Sequence, residues 1–236
     1  MARHGEAWCG TAWLGEVKPG EARQGNYKIQ RKDQAMSIQK VGLQIVGIGP
    51  LIMHNIQLAN PLNKYSKALK KLTGKRQKTE ADILELARLE WEGGLYLHEG
   101  EVVMPGVNIY AGLIMGGKKS KRGVKIKSGT NIREDFCPLS YEGQKIKVAN
   151  NGEIPNSELD KFYTLYNFQS MVVVQGKRLL RTRPCFQKWS FGCTVDFDDN
   201  VIEEDEIIKV AEDAGLLVGL GDWRPRYGRF MVEKIN

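Results

Sequence analysis

The chain has 236 residues, 42% hydrophobic and 27% charged, which suits one large domain able to bury a sizeable core. Thirty-five Lys and Arg against 28 Asp and Glu leave a net charge of +7, which favours a polyanionic partner. No apolar run approaches a membrane span, and no signal-peptide core is present. The four cysteines (Cys9, Cys137, Cys185, Cys193) form no Cys-x-x-Cys pair and have no histidine at zinc-ligand spacing. These features lead us to expect a soluble cytoplasmic protein with no cofactor, metal or disulfide framework.

Glycines at positions 5, 10, 15, 20 and 25 repeat with a period of five. That period fits neither a helix face nor a strand face, so residues 1–35 are expected to stay outside the fold. Three readings stand open for them: a disordered tail, an in-frame read-through ahead of a start at Met36, or an interaction tail using Trp8 and Trp13. Without this tract the remainder keeps an excess of positive charge.

The body, residues 36–236, is expected to be a single domain. The alternation of Val41, Leu43 and Ile45 predicts a first strand, ended by Gly47, Gly49 and Pro50, with Leu51–Asn55 as its resumption. His54 lies there, a candidate general acid or base by its near-neutral titration and a candidate structural hydrogen-bonder otherwise. Residues 64–78 carry Lys64, Lys67, Lys70, Lys71, Lys75, Arg76 and Lys78 without an acid. Positions 64, 67, 71 and 75 share one helical face, so the run is read as a polyanion contact.

Thr79-Glu-Ala-Asp82 has the form of a capping box opening a helix through Ile83, Leu84, Ala87 and Trp91, which Gly93-Gly94 stop. Leu95–Met104 reads as a hairpin turning near Glu99-Gly100. Pro105 begins a short helix through Ile109 and Leu113, followed by Gly116-Gly117. Lys118, Lys119, Lys121, Arg122, Lys125 and Lys127 come next, the last of them alternating with Val124 and Ile126 as on one face of a β-ribbon. The Gly117-Lys-Lys-Ser120 run fails the phosphate-loop pattern, because Lys119 stands where Ser or Thr is required.

Residues 128–168 lack a regular pattern and read as an insertion or long loop. Met171–Val174 reads as a buried strand, turned at Gln175-Gly176 and followed by Lys177, Arg178, Arg181 and Arg183. Trp189, Phe191, Cys193, Val195 and Phe197 alternate without a fault and predict a strand ended by Asp198-Asp199-Asn200. Trp189, beside Lys188, is also a candidate stacking group. The next helix runs through Ile207, Ile208, Ala211 and Ala214. Glu203, Glu204, Asp205 and Glu206 crowd its first turn, where the helix dipole favours them.

Gly215, Gly219, Gly221 and Gly228 then punctuate a loop holding Arg224, Arg226 and Arg229, with Trp223 and Tyr227 between them, before a last strand from Arg229. Arginine on an aromatic-bearing glycine loop suits phosphate contact and base stacking. A tight turn with ordinary surface arginines is the plain alternative.

This order predicts an α+β fold, an antiparallel sheet with helices on one face and a long insertion. Its last part, a helix followed by Gly219, Gly221, Arg224, Gly228 and Arg229 and a terminal strand, with Asp196–Val210 as the approach, resembles the RAMP superfamily. These are RRM-like, ferredoxin-like backbone and RNA-processing subunits of CRISPR effector complexes, whose glycine-rich loop lies near bound RNA. The chain departs from that pattern in its long insertion and in having no evident second ferredoxin-like half. It also looks like phage proteins of replication or recombination neighbourhoods, which handle single-stranded DNA. Neither resemblance carries a catalytic residue to this chain.

Three functions are therefore expected. The first is non-enzymatic binding of single-stranded RNA or DNA by a self-associating protein, using the basic segments 64–78, 118–127, 177–188 and 224–229 with Trp189, Trp223 and Tyr227. The second is RNA cleavage of the RAMP type with His54. The third is a phage interaction module that binds a host protein complex.

Overall fold

The computed structural model describes residues 37–141, 144–147, 161, 163–174 and 176–235. The readings made for residues 1–35, and for Asn150–Pro155 of the expected insertion, lie outside the described residues. Strand β1 (Ile38–Gly47) is followed by the short β2 (Leu51–Ile52) and by helices α1 (Lys64–Thr73) and α2 (Glu80–Gly94). Strands β3 (Leu97–His98) and β4 (Glu101–Pro105) precede helices α3 (Gly106–Lys119) and α4 (Gly123–Gly129). Strands β5 (Thr130–Ile132), β6 (Phe136–Pro138), β7 (Ser140–Tyr141) and β8 (Gln144–Lys145) come before the hairpin of β9 (Asn167–Val174) and β10 (Lys177–Phe186). Strand β11 (Ser190–Asp198), helix α5 (Glu204–Leu217) and strand β12 (Phe230–Ile235) complete the order.

The fold is α+β, and its strand pairings are antiparallel. The main sheet runs β12–β1–β11–β7–β8, with β5 also on β11. Smaller sheets run β2–β10–β9 and β3–β4–β6. Pairing of Val41 with Val195, Leu43 with Cys193 and Ile45 with Phe191 puts the alternating apolar positions of β1 and β11 on one face. All six side chains are buried there. Ile109 and Leu113 of α3 and Ile207, Val210, Ala211 and Ala214 of α5 cover them in one core. A fully buried aliphatic or aromatic side chain of this kind contributes about 2 kcal/mol.

Helix α3 continues through Gly116-Gly117 to Lys119, beyond the short helix expected. A Cβ at Gly116 would stand 2.7 Å from both Ala214 Cβ and Val210 O, so this glycine admits α5 rather than ending the helix. Residues 123–129 form α4, not a β-ribbon. Ile126 is fully buried while Val124 and Lys125 are exposed. Four alternating residues carry too little period to separate a strand from one helical turn.

Other local signals match the structure. Thr79 and Asp82 make both bonds of the capping box, and positive φ at Glu99 and Gly100 forms the β3–β4 turn. The segment 128–141, read as irregular, instead supplies β5, β6 and β7, strands too short to leave a periodic pattern. Met171–Val174 is not a buried strand: Met171 is 59% and Val173 68% exposed. Only Cys185 and Phe186 of β10 pair with β2, so the distal hairpin is a two-stranded ribbon. Among the described residues no helix is long and apolar enough to cross a membrane.

Candidate nucleic-acid interface

The loop between α5 and β12 is held by its backbone. Gly228 N–H donates to Pro50 O at 2.7 Å, Asp222 N–H to Ile52 O at 2.8 Å, and Leu220 N–H to Gly228 O at 2.8 Å. Gly219, Gly221, Trp223 and Gly228 all take positive φ. Gly228 has no room for a side chain, since a Cβ would stand 1.8 Å from Leu220 O. The backbone thus turns inward against the segment joining β1 to β2, with Leu220 entering the core and the side chains of Arg224, Arg226 and Arg229 projecting outward. Arg224, Arg226 and Arg229 are exposed and have no carboxylate partner among the described residues. Trp223 and Tyr227 lie 6.0 Å apart by ring centroids, and Phe168 meets them at 5.5 and 5.6 Å.

Helix α3 supplies the facing wall. Asn108, Ala111, Met115 and Lys118 share one helical face by their spacing. Met115, Lys118 and Lys119 line a cleft of about 690 Å³ with Leu217, Trp223 and Arg224. That volume lies within the range of about 300–1,000 Å³ typical of ligand sites. A second cavity of about 220 Å³ adjoins it through Gly221, Asp222 and Arg224, and His54, Tyr96 and Asn108 line its other side. Asp222 accepts from Trp223 N–H at 3.0 Å and from Arg183 Nε at 3.3 Å. Tyr96 Oη donates to His54 O at 3.1 Å and braces that segment. Burial, followed by the nearby Arg183 charge, holds the His54 imidazole below its ordinary 6.5, against an opposite pull from Asp222. The ring is therefore neutral at pH 7.

The structure thus brings Lys118, Lys119, Gly221, Trp223 and Arg224 together around one cleft, with His54 on the adjoining wall; Gly219, Arg226, Tyr227 and Arg229 belong to the same loop but do not line the cleft. It puts others to different use. Trp189 is buried at 3% exposure, its indole N–H donates to Gly49 O at 2.8 Å, and its ring lies against Phe191. It is a core residue, not a stacking group, because its place in the alternation with Phe191 and Cys193 directs it inward. Arg181 is bound by the buried Glu90 carboxylate, which also accepts from Thr182 N–H. Arg183 is bound by Asp222, so both arginines hold the fold together. Arg178 is exposed on the hairpin.

Arg122 and Lys125 pair with Glu206 at 2.7 and 3.1 Å and draw its carboxyl down to about 2. Lys121 and Lys127 are exposed. Lys64, Lys67 and Lys71 lie on α1, which packs against α2. Lys75 lies beyond the end of α1 and pairs with Asp82 at 2.5 Å, so the four-residue face expected there loses its last member. Arg76 follows it in the same exposed turn.

Asn108, Met115, Phe168 and Asp222 were missed in the sequence. Phe168 was within reach: counting outward from the turn at Gln175-Gly176 sets it opposite Arg183, the register observed. Met115 and Asn108 had no signal beyond their helical spacing from Lys118. Among the described residues no group of three or more His, Cys, Asp or Glu is placed to hold a metal ion. No protein-family model matches the chain, and no curated protein matches it in sequence.

Proposed function

We propose that the protein binds single-stranded nucleic acid, RNA or DNA, without cleaving it, along the cleft between α3 and the glycine loop. The observation that carries this reading is the cleft's composition. Lys118, Lys119 and Arg224 surround Met115, Leu217 and Trp223, so cations for phosphates stand beside apolar surface for bases. Among the described residues these three cations have no carboxylate partner. The outer face of β1 and β11, with Lys40, Gly42, Gln44, Gly192, Thr194 and Asp196, carries no aromatic ring among the described residues.

The strand order β12–β1–β11–β5, with α3 and α5 packed together, supports the resemblance to a ferredoxin-like unit of the RAMP type. In that reading copies of the chain associate along one strand. Fluorescence anisotropy with labelled single-stranded and double-stranded oligonucleotides across a salt series tests it. Tighter single-strand binding with a steep salt slope is expected. Absence of binding at low salt to every strand would overturn the reading.

One observation favours a second reading, cleavage of RNA with His54 as general base. The imidazole is neutral at pH 7, makes no hydrogen bond among the described residues, and shares its cavity with Arg224. Cleavage of a labelled RNA that His54→Ala abolishes would support it, and intact RNA after prolonged incubation would dismiss it.

A further inference from the structure

The smaller cavity carries more hydrogen-bonding capacity than the fold uses. Among the described residues the His54 ring and the Asn108 amide have no hydrogen-bond partner, and Arg224 makes only a weak 3.8 Å contact to Met115 Sδ. Asp222 accepts two hydrogen bonds, which leaves part of its capacity open. Asp222 borders both cavities, but Lys118 and Lys119 offset it only in the larger cleft, so the smaller cavity is the less suited of the two to a phosphodiester. The wall therefore suits a neutral group that offers donors on one edge and acceptors on another. At about 220 Å³ the cavity falls below the range of drug-sized pockets and is in scale with a single base.

Resting on the strand-binding reading above, we propose that this cavity takes a guanine base turned out of the strand held in the adjoining cleft. Asp222 accepts from the adjacent N1–H and N2–H donors, and Arg224 and Asn108 donate to O6 and N7. Guanine is the base that matches both halves. It presents two neighbouring N–H donors to a carboxylate and two acceptors to an arginine. Adenine and cytosine each offer one exocyclic amine, and uracil or thymine offers a single ring N–H. The neutral His54 ring supplies a surface beside the base without adding charge. A strand binder built this way discriminates at one position in each footprint and tolerates any base elsewhere.

The test is anisotropy of the full-length protein with labelled oligothymidine and oligouridine strands about twelve nucleotides long. Each carries one central guanine, adenine or cytosine, or none. The guanine strand is expected to bind about tenfold tighter than the others, the scale of one good bidentate pair. Asn108→Ala and Asp222→Asn should each bring that ratio close to one. Asn108→Ala serves where loss of the Arg183–Asp222 pair unfolds the second variant. Equal affinity for all strands, a preference for adenine or cytosine, or a ratio unchanged in both variants overturns the guanine pocket and leaves the cleft reading standing. No binding to any strand overturns both.

Discussion

Residues 177–188 and 224–229 are two runs of cations, each next to a tryptophan, and the fold treats them differently. In the first, Arg181 and Arg183 are engaged by Glu90 and Asp222, and Trp189 is sealed in the core. In the second, Arg224, Arg226 and Arg229 remain exposed, and Trp223 lines an open cleft. The separation comes from the backbone. A β-strand sends alternate side chains into the protein, where an arginine needs a carboxylate. This glycine loop turns its backbone inward and leaves its three arginines outside. Basic composition alone is thus weak evidence of a binding surface, and the partner of each cation decides.

The sharpest break between the two regions is the pair of tryptophans. Trp189→Ala should cost about 3–5 kcal/mol in urea unfolding, the usual range for emptying a core aromatic site. Trp223→Ala should leave the unfolding midpoint nearly unchanged and weaken strand binding by about 1–3 kcal/mol. Equal losses of stability would erase the distinction. Next in size, Glu90→Ala strands Arg181 and the buried Thr182 N–H, and should cost about 3 kcal/mol in the same experiment.

The loop cations come third. Replacing Arg224, Arg226 and Arg229 together by Gln should flatten the slope of log affinity against log salt by about 1.4 with Arg224 on a base, or about 2.1 with all three on phosphates, at roughly 0.7 per phosphate contact. An unchanged slope would remove the loop from the binding surface. The smallest effect concerns the thiols. Burial pushes Cys137 and Cys193 up to about 12 and Cys185 up to about 11. At pH 8 all three stay protonated, so native protein should resist iodoacetamide at these positions and react only after denaturation. Peptide mass spectrometry reads this directly.

Much of the frame was legible in the chain. The faultless alternation through Phe197 located β11, the Thr79–Asp82 box located the start of α2, and the glycine spacing located the loop. What escaped depends on contacts distant in sequence. Nothing local distinguishes Arg183 from Arg224, because Asp222 stands 39 residues from the first and engages it across the fold. Val124 and Ile126 resembled a strand for want of length. The candidate cleft was half legible: its cations and Trp223 were apparent, whereas Met115 and Asn108 acquire meaning only once α3 faces the loop.

The most direct test of the central claim is photocrosslinking of an iodouridine-substituted single strand to the full-length protein, mapped by peptide mass spectrometry. Adducts are expected on Trp223, which lines the cleft, or on Tyr227 and Phe168, whose rings pack against it, and not on Trp189. Adducts confined to the hairpin tip or to α1 would contradict the account and move the strand to a different surface.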